Sequence, residues 1–397
     1  METIKQAVIL AGGYGTRLKP FTDTNPKPMY PFEGKPFLYY LLKQVKSFGI
    51  DEVILLLGYL PEKIIEYCES EDLGLKIDYC ITDVECETGL RLRGALDLMD
   101  EQFLLMYCDN YCPINYEKLV NDFFSNKADI QFTAYLNADN YTKSNLKIAE
   151  DGKVLVYDKK RETANLLGVD IGYGIVKKEV VEMMPEENEN FEKVIYPQLV
   201  NKGSLYATIT QHRYYSVGSW ERIELTKKFF SRQKYIFLDR DGTINVRPPR
   251  ACYIERPEDF VWLDGAKEAI KLLKDNDYTI ILISNQPGIA RGNMTVEDLE
   301  AIHEKMQKDL LEYGTKKIDQ IYYCPHNWDE GCECRKPKPG MFFMAQKDNS
   351  LDLSKCYMIG DDDRDMEAGS SAGCKCLQIT DDFSLLDAVK TVLSETK

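Results

Sequence analysis

Three cysteines and a histidine lie within eleven positions in the second half of the chain. They follow the spacing C-x-H-x5-C-x-C and are Cys324, His326, Cys332 and Cys334. Three thiolates and an imidazole suit a closed tetrahedral Zn²⁺ site, which is structural because it leaves no coordination position for a substrate. The alternatives are neighbouring thiols without a metal and a zinc knuckle that binds nucleic acid. We expect this zinc loop (residues 324–334) to stiffen the segment leading into Arg335 and Lys336.

Two aspartates, Asp239 and Asp241, end an apolar run in the stretch YIFLDRDGTIN, residues 235–245. In an extended segment, positions i and i+2 face the same way, so both carboxylates can face one phosphorus. One can act as nucleophile and Mg²⁺ ligand, and the other can donate and accept a proton. The alternative is an Asp-rich turn. A calcium loop does not fit, because Gly242 follows Asp241 immediately.

A glycine-rich stretch, LAGGYGTRLKPFTDTNPKPM, occupies residues 10–29. Gly12, Gly13 and Gly15 directly follow a predicted strand, where glycines let backbone N–H groups approach a phosphate chain. Arg17 adds a planar donor for phosphate oxygens, and Lys27 adds a mobile positive charge. The spacing matches neither GxGxxG nor the Walker pattern. A simple tight turn is the alternative for the glycines alone.

The elements that position these residues alternate between strand and helix patterns, which predicts an α/β fold with covered sheet faces. The predicted strands are QAVILAGG, DEVILLLGY, FLLMYCDN, DIQFTAYL, LGVDIGYGIV and SLYATIT, then YIFLD, TIILISN and CYMIGDD. The predicted helices include KPFLYYLLKQVKSFG and GAKEAIKLLKDN. The pattern restarts after Ser231, so we predict two domains, residues 1–231 and 232–397. Polar residues end several strands, which is where open α/β sheets place ligands.

Composition narrows the classes of partner. A chain of 397 residues suits two domains rather than one core. A formal charge of −15 and a sequence pI of about 4.9 argue against nucleic acid as a partner. The apolar runs are too short for a membrane span, and the start does not read as a signal peptide. Twelve cysteines, mostly isolated in apolar runs, favour free thiols in the reducing cytoplasm.

The glycine-rich stretch resembles the sugar-1-phosphate nucleotidyltransferases, whose signature is GGxGTRL followed by PKP. The likeness runs to about residue 225, implies a Rossmann-like domain, and includes Thr16 in the nucleotide-binding motif. By resemblance, Asp109 in YCDNYCPIN binds Mg²⁺, and Lys159 in VYDKKRE binds the sugar phosphate. The implied reaction is attack of a sugar-phosphate oxygen on the α-phosphorus of an NTP, with pyrophosphate leaving. The alternative for Asp109 is a strand-end aspartate that caps a loop.

Two features depart from that family's usual pattern. Ser216, in YYSVGSWERI, stands where the family usually has a second metal-binding aspartate. The sugar loop reads ETGLRLRGAL rather than the frequent LGTGGAI, so the resemblance does not identify the sugar.

The second half resembles the haloacid-dehalogenase-like (HAD) phosphatases, which implies a HAD-like Rossmannoid domain with a small zinc loop. By resemblance, Asp239 forms an aspartyl-phosphate, Asp241 protonates the leaving group, and Ser284 and Lys336 stabilise the phosphoryl oxygens. Asn285 and Arg335, beside the second and third motifs, are further substrate-binding candidates. The implied Mg²⁺ ligands are Asp239, Asp241, Asp361 and Asp362, with Asp365 in the same acidic motif IGDDDRDM.

The zinc loop, NQPGIARG and RKPKPGM resemble the zinc-containing branch that includes heptose-1,7-bisphosphate 7-phosphatases and histidinol-phosphate phosphatases, and are closer to the former. The segment after the first motif departs from that branch. Arg247 and Arg250 in this segment either bind a second phosphate or are solvated surface residues.

Together the two resemblances predict a bifunctional enzyme that makes nucleotide-activated heptose. The phosphatase would convert heptose 1,7-bisphosphate to heptose 1-phosphate, and a guanylyltransferase-like domain would use an NTP, with GTP favoured. One alternative is the same two reactions on another sugar or polyol phosphate with CTP or UTP. Another is an active phosphatase joined to a non-catalytic domain that senses nucleotide sugars.

Overall fold

The computed structural model describes residues 3–231, 234–249 and 252–395. The chain divides into two compact units, Met1–Ser231 and Arg232–Lys397. Arg250 lies outside the described residues. Within the described ranges, every helix is too short or too polar to cross a bilayer.

The first unit is built on a nine-stranded sheet with two short pairs of two-residue strands beside it. Its described strands are β1 Gln6–Ala11, β2 Pro31–Phe32, β3 Lys35–Pro36, β4 Glu52–Leu57, β5 Lys76–Ile81, β6 Gln102–Tyr107, β7 Asn110–Tyr111, β8 Ile130–Leu136, β9 Leu146–Ile148, β10 Val154–Tyr157, β11 Gly168–Lys177, β12 Leu205–Thr210 and β13 Tyr215–Ser216. The two short pairs are β2 with β3 and β7 with β13. Strands β5, β4, β1 and β6 are parallel neighbours, and β11 joins β6 in the antiparallel sense. Beyond β11 lie the antiparallel partners β8 and β9.

Helices cover both faces of this sheet, so its central strands are buried on both sides. The helices are α1 Phe37–Ser47, α2 Pro61–Ser70, α3 Thr88–Gly94, α4 Tyr116–Asn126, α5 Lys178–Glu182, α6 Phe191–Lys202 and α7 Trp220–Phe230. All six residues of β1 are buried, which explains its continuous apolar sequence. Helix α1 starts after Pro36 and buries Leu38, Leu41, Leu42 and Val45 on one face.

The second unit is a five-stranded, wholly parallel sheet in the order β16-β15-β14-β17-β18. Its strands are β14 Tyr235–Leu238, β15 Thr279–Asn285, β16 Gln320–Cys324, β17 Tyr357–Gly360 and β18 Lys375–Gln378. Its helices are α8 Ala266–Asp275, α9 Val296–Glu312, α10 Gly340–Asn349, α11 Asp363–Ala372 and α12 Leu385–Glu395. Two apolar clusters cover its two faces. The α/β fold class predicted from sequence is confirmed in both units.

Strands with strong apolar runs lie where the sequence predicted them. Among strands longer than two residues, the sequence interpretation missed β5, β9, β10, β16 and β18. Four of these are edge strands, where half-exposed positions interrupt the apolar pattern: KIDYCI in β5 has no fully buried residue, and KCLQ in β18 has none either. Strand β9 has only three residues, too few to show a period.

Candidate active sites

The first unit has a cavity of about 380 Å³ at the carboxyl ends of β1 and β6. Its wall includes Gly12, Gly13, Lys27 and Asp109, which the sequence placed in one site. The opposite wall is formed by residues 84–88 and by Arg91. Parallel strand ends converge at one edge of a sheet, so two motifs almost a hundred residues apart meet here.

Lys27 and Asp109 form an ion pair inside this cavity, with 2.7 Å between Lys27 Nζ and Asp109 Oδ2. Burial alone would lower the pKa of Lys27, but the Asp109 carboxylate outweighs burial and raises it. Burial likewise opposes the ionised form of Asp109, but Lys27 lowers its pKa overall. Both groups are therefore charged at neutral pH, which leaves a carboxylate ready for a cation and an ammonium ready for phosphate.

The glycine turn is shaped by close packing against Lys27. Gly15 has a φ of +64°, and a Cβ there would lie 2.9 Å from Lys27 Cβ. The turn then enters a 3₁₀ helix, Thr16–Leu18, which carries Thr16 and Arg17 exposed on the surface. Arg17 is therefore available to an incoming anion, whereas Lys27 is held in place before a ligand arrives.

Two further predicted positions lie in different surroundings. Lys159 donates to Asn190 Oδ1 at 2.6 Å and to Glu192 Oε2 at 2.8 Å, and it is not among the residues that form the described cavity wall. Ser216 is buried in β13, which pairs with β7 immediately after Asp109. The serine hydroxyl accepts the N–H of Gly218 at 2.9 Å, so the hydroxyl has a structural partner.

The second unit gathers its candidate residues at the carboxyl ends of β14, β15 and β17, in a cavity of about 690 Å³. Lys336 is buried there, and its ammonium lies 2.6 Å from a carboxylate oxygen of Asp239 and 2.6 Å from one of Asp365. Asn285 fixes the backbone of Lys336 by donating to its carbonyl at 2.9 Å and accepting its N–H at 3.0 Å. Ser284 ends the buried part of β15 beside it.

Asp239 is 7% exposed, and its backbone N–H donates to Ile359 O on β17 at 3.0 Å. Burial raises the pKa of Asp239, and although Lys336 opposes this rise, the neighbouring Asp365 carboxylate adds to it. A carboxylate that is poorly solvated and partly compensated by one lysine is suited to attack on phosphorus.

Asp241 accepts four hydrogen bonds, two on each carboxylate oxygen. Arg240, which is fully buried, donates to both oxygens at 3.0 and 2.9 Å. Asn245 donates to Oδ1 at 3.0 Å, and Gln286 donates to Oδ2 at 3.1 Å. Burial opposes ionisation, but Arg240 and these donors lower the pKa of Asp241 overall. The side chain is thereby arranged as a proton acceptor.

A group of three carboxylates can hold a cation beside the nucleophile. One oxygen from each of Asp239, Asp361 and Asp365 lies within 4.8 Å of the others. Asp362 instead caps α11 and accepts two bonds from Arg364, at 2.8 and 2.9 Å. Hard carboxylate oxygens in such a group suit Mg²⁺.

Arg247 lies directly over this carboxylate group. Its Nη2 is 2.7 Å from Asp361 Oδ2 and 3.1 Å from Asp362 Oδ2. Arg247 also lines the cavity and its side chain is 49% exposed, so contact with a second phosphate and a solvated side chain both stay predictions.

The zinc loop brings its four predicted ligands together. Cys324 Sγ lies 3.6 Å from Cys332 Sγ and 3.6 Å from His326 Nδ1, and His326 Nδ1 lies 3.2 Å from Cys334 Sγ. Ligands about 2.3 Å (sulfur) and 2.0 Å (nitrogen) from a tetrahedral ion would be about 3.5–3.8 Å apart, so the group fits Zn²⁺. Arg335, the next residue, donates to His326 O at 3.2 Å and lines the cavity of the second unit.

Sequence reasoning missed Arg91, Arg240 and Gln286. Arg240 and Gln286 stand inside quoted motifs, but their side chains contact the catalytic candidates only through the fold. Arg91 occurs in the atypical loop ETGLRLRGAL, and that departure was the available signal.

Comparison with known proteins agrees with this geometry. A family model described as nucleotidyl transferase matches residues 6–231, and one described as HAD-hydrolase-like matches residues 333–392. The chain belongs to the nucleotidyl transferase family. We call residues 3–231 the transferase unit and residues 234–395 the phosphatase unit.

The phosphatase unit is similar to D-glycero-beta-D-manno-heptose-1,7-bisphosphate 7-phosphatases. The protein of that name from Haemophilus ducreyi is 40% identical over 149 residues, which cover 36% of this chain and 80% of the relative. The one from Helicobacter pylori is 42% identical over 142 residues, covering 36% and 80%. At this identity and coverage, the chain also belongs to that phosphatase family. It therefore combines a nucleotidyltransferase and a phosphatase on one polypeptide.

The transferase unit is similar to a solved structure of HddC from Yersinia pseudotuberculosis complexed with GMP-PN. The two are 27% identical with a TM-score of 0.50, and the match covers 57% of this chain and 99% of HddC. The likeness therefore extends over almost all of the smaller protein.

Proposed function

We propose that the chain makes nucleotide-activated heptose in two consecutive reactions. The phosphatase unit removes the 7-phosphate of heptose 1,7-bisphosphate, and the transferase unit joins the resulting heptose 1-phosphate to a nucleotidyl group from an NTP. The observation that carries the proposal is the presence of both sites on one polypeptide. The product of a heptose bisphosphate 7-phosphatase is a sugar 1-phosphate, which is the class of acceptor that a sugar nucleotidyltransferase uses.

In the first reaction, a carboxylate oxygen of Asp239 attacks the phosphorus of the 7-phosphate. A bond forms between that oxygen and phosphorus, and the bond from phosphorus to the sugar oxygen breaks. Lys336, 2.6 Å from Asp239, neutralises the charge that develops on the phosphoryl oxygens, together with the Ser284 hydroxyl. Asp241 in its protonated form gives its proton to the leaving sugar oxygen.

Water then attacks the aspartyl-phosphate, and Asp241 accepts the proton that water loses. That proton replaces the one given to the sugar oxygen, so Asp241 begins the next turnover protonated. The four hydrogen bonds to Asp241 stabilise its ionised form, which is the form that this second step requires. Inorganic phosphate leaves and Asp239 is restored.

In the second reaction, an oxygen of the sugar 1-phosphate attacks the α-phosphorus of the NTP, and pyrophosphate leaves. This chemistry depends mainly on alignment and charge neutralisation. Backbone N–H groups of Gly12 and Gly13, the Lys27 ammonium and the exposed Arg17 supply these. Lys159 stays a proposed sugar-phosphate ligand, which requires it to leave Asn190 and Glu192.

We propose Mg²⁺ at both sites and Zn²⁺ in the zinc loop. Asp109 would hold Mg²⁺ in the transferase unit; Asp239 and Asp361 would hold it in the phosphatase unit, with Asp365, Asp241 and Asp362 around them. When bound, Mg²⁺ neutralises phosphate charge as a Lewis acid. Zn²⁺ would be structural, because all four coordination positions are filled by protein.

We propose GTP as the favoured nucleotide. The support is the similarity to HddC, whose structure was solved with GMP-PN. We also propose that the enzyme works in the reducing cytoplasm, because none of its twelve cysteines, all of them among the described residues, is in a disulfide bond.

The test is to incubate the pure protein with heptose 1,7-bisphosphate, Mg²⁺ and each of the four NTPs in turn. We expect release of inorganic phosphate, and then pyrophosphate and a nucleotide-heptose with GTP in preference to the others. Pyrophosphate from CTP or UTP alone would overturn the guanine preference. Phosphate release without nucleotide transfer to any acceptor would mean that the transferase unit only binds nucleotide sugars.

A further inference from the structure

Arg91 is a buried cation at the base of the transferase cavity, next to the glycine turn. It is 4% exposed and lies in α3, inside the atypical loop that sequence comparison left unexplained. Its Nη1 donates to Leu57 O at 3.0 Å and to the Thr82 hydroxyl, and its Nη2 donates to Val84 O at 2.8 Å and Gly12 O at 3.3 Å. One guanidinium thus joins the glycine turn, the end of β4 and the 84–88 wall.

No acidic side chain among the described residues forms an ion pair with Arg91, although the nearby Asp83 and Glu87 carboxylates act on its charge. Within the described residues 3–231, no salt bridge connects Arg91 to a carboxylate; its partners are carbonyl oxygens and one hydroxyl. Burial lowers its pKa, as expected for a cation withdrawn from water. A buried charge without a direct ion-pair partner is costly unless something offsets it, and Arg91 also forms part of the cavity wall.

The other two basic residues of the site differ from Arg91. Lys27 already has its charge balanced by Asp109 at 2.7 Å, and Arg17 is exposed to solvent, where its charge is screened. Arg91 is therefore the positive charge of this cavity that is both buried and without a carboxylate partner.

The surrounding backbone is shaped to admit the guanidinium. A Cβ at Gly12 would lie 2.3 Å from Arg91 Nη1, and a Cβ at Gly58 would lie 2.5 Å from the same atom. Both positions therefore need glycine because of Arg91, and this requirement is separate from any close approach of phosphate to Gly12. Two glycines on different loops make room for one side chain.

We propose that Arg91 is a positioning residue for nucleotidyl transfer. It fixes the Gly12 carbonyl and the 84–88 wall relative to each other, and its charge, which no direct ion pair neutralises, attracts the polyphosphate of the NTP into the cavity. This inference rests on the proposed function of the transferase unit. Arg91 would be a further cation of this site, and it lies outside the GGxGTRL and PKP signature.

The test compares Arg91→Met, which removes the charge, with Arg91→Lys, which keeps the charge but loses the planar fork. The matched control is Arg93→Met, because Arg93 is on the same helix, is 26% exposed and donates to Met184 O at 2.7 Å. The measurements are kcat and KM for GTP, and the Kd of inorganic pyrophosphate with Mg²⁺. Phosphate release by the same preparations checks that the polypeptide is otherwise intact.

We expect Arg91→Met to weaken pyrophosphate binding about 30-fold and to raise KM for GTP similarly, whereas Arg91→Lys stays within about 3-fold in both. Arg91→Lys should instead lower kcat about 10-fold, because the three donors of an ammonium share one nitrogen and cannot span the carbonyls that Nη1 and Nη2 reach separately. Arg93→Met should change neither value more than 2-fold. Gly58→Ala, which displaces the guanidinium and keeps its charge, should reproduce the pattern of Arg91→Lys.

Equal pyrophosphate affinity in wild type and Arg91→Met would overturn the inference. So would equal losses in Arg91→Lys and Arg91→Met, since a purely structural role does not distinguish charge. If wild type transfers no nucleotide from any NTP, the proposed function fails, but pyrophosphate binding still decides whether Arg91 attracts polyphosphate.

Discussion

Each of the two sites lies at the carboxyl ends of parallel strands in its own sheet, yet the two prepare for phosphorus chemistry differently. In the phosphatase unit, Lys336 touches both Asp239 and Asp365, and Asp241 is held by four donors. In the transferase unit, Lys27 and Asp109 are paired, but Arg17 is exposed, and among residues 3–231 no carboxylate forms an ion pair with Arg91. The first site keeps an excess of carboxylates that a cation can balance, and the second keeps positive charge that an anionic ligand can balance.

This difference follows from the reactions. A covalent mechanism uses a protein group as the nucleophile, so that group must be aligned before substrate arrives. In nucleotidyl transfer both reacting groups belong to substrates, and the protein contributes alignment and charge. From this difference we expect that loss of the nucleophile alone abolishes the phosphatase reaction, whereas loss of any one charged residue only reduces the rate of nucleotidyl transfer.

The largest expected effect is from Asp239→Asn. Because the amide cannot form the aspartyl-phosphate, phosphate release from heptose 1,7-bisphosphate should fall about 10⁴-fold or more. Pyrophosphate release from GTP and heptose 1-phosphate should stay within 2-fold of wild type. The measurement is both initial rates on one preparation, and loss of both in a folded variant would contradict separate sites.

The next effect is from Lys27→Met in the transferase unit. Removing the ammonium leaves Asp109 buried without its partner and takes one cation from the phosphate chain, so nucleotidyl transfer should fall about 10²- to 10³-fold. The phosphatase rate should not change. Lys19→Met, a substitution at a neighbouring exposed lysine, is the control and should leave both rates within 2-fold. A fall below 10-fold for Lys27→Met would remove the charge argument for this site.

A smaller effect is expected from the zinc loop. Cys334→Ser, which alters a proposed ligand two residues before Lys336, should lower phosphatase kcat/KM about 10- to 100-fold and leave the transferase rate unchanged. Cys376→Ser, at a thiol outside the zinc group, is the matched control. Metal analysis should find about one zinc per chain in wild type. A zinc-free protein with full phosphatase activity would show that the loop needs no metal.

The smallest effect concerns acid stability, which should differ between the units. Burial lowers the pKa of His303 in the phosphatase unit to about 4. An unfolded histidine titrates near 6.5, so the unfolded state binds more protons between these values. The phosphatase unit should therefore lose up to about 3 kcal/mol of stability as the pH falls from about 6.5 to 4.

Asp129 makes the transferase unit lose stability in a lower pH range than the phosphatase unit does. Burial would raise its pKa, but hydrogen bonds from Lys177 and Lys202 lower it to about 2. A depressed carboxylate contributes stability above its unfolded pKa of about 3.9, and here that contribution, about 2 kcal/mol, disappears only below pH 4. Hydrogen exchange of each unit at pH 7, 5 and 3.5 measures how the stability of both units changes over these pH ranges. His303→Gln should remove the loss of stability between about pH 6.5 and about 4 in the phosphatase unit. Hydrogen exchange that rises at a higher pH in the transferase unit than in the phosphatase unit would contradict this difference between the units.

The sequence alone predicted where many of the site residues lie, because their motifs stand at the ends of strongly apolar strands. Such strands are buried on both faces, so their carboxyl ends could be located from the pattern QAVILA or TIILIS, and residues such as Asp109 and Ser284 fall at one edge of each sheet. The four zinc-loop residues were found together because metal ligands have a readable spacing.

The sequence did not show which side chains contact one another at those edges. It named Asp361, with Asp362 and Asp365, as the acidic motif that holds Mg²⁺; in the structure Asp361 and Asp365 lie together with Asp239, and Asp362 caps α11. Side-chain direction at a helix start depends on the cap geometry, which four consecutive acidic and basic residues do not specify. Arg91 was missed for a similar reason, because its burial depends on glycines on two other loops.

The division after Ser231 has a consequence for control of the pathway. Because the two catalysts are parts of one translation product, a cell always makes them in equal number, and their ratio cannot be adjusted by expression. The steady-state pool of sugar 1-phosphate is then set by the relative turnover numbers of the two active sites. Any substitution that slows only one of them shifts that pool directly.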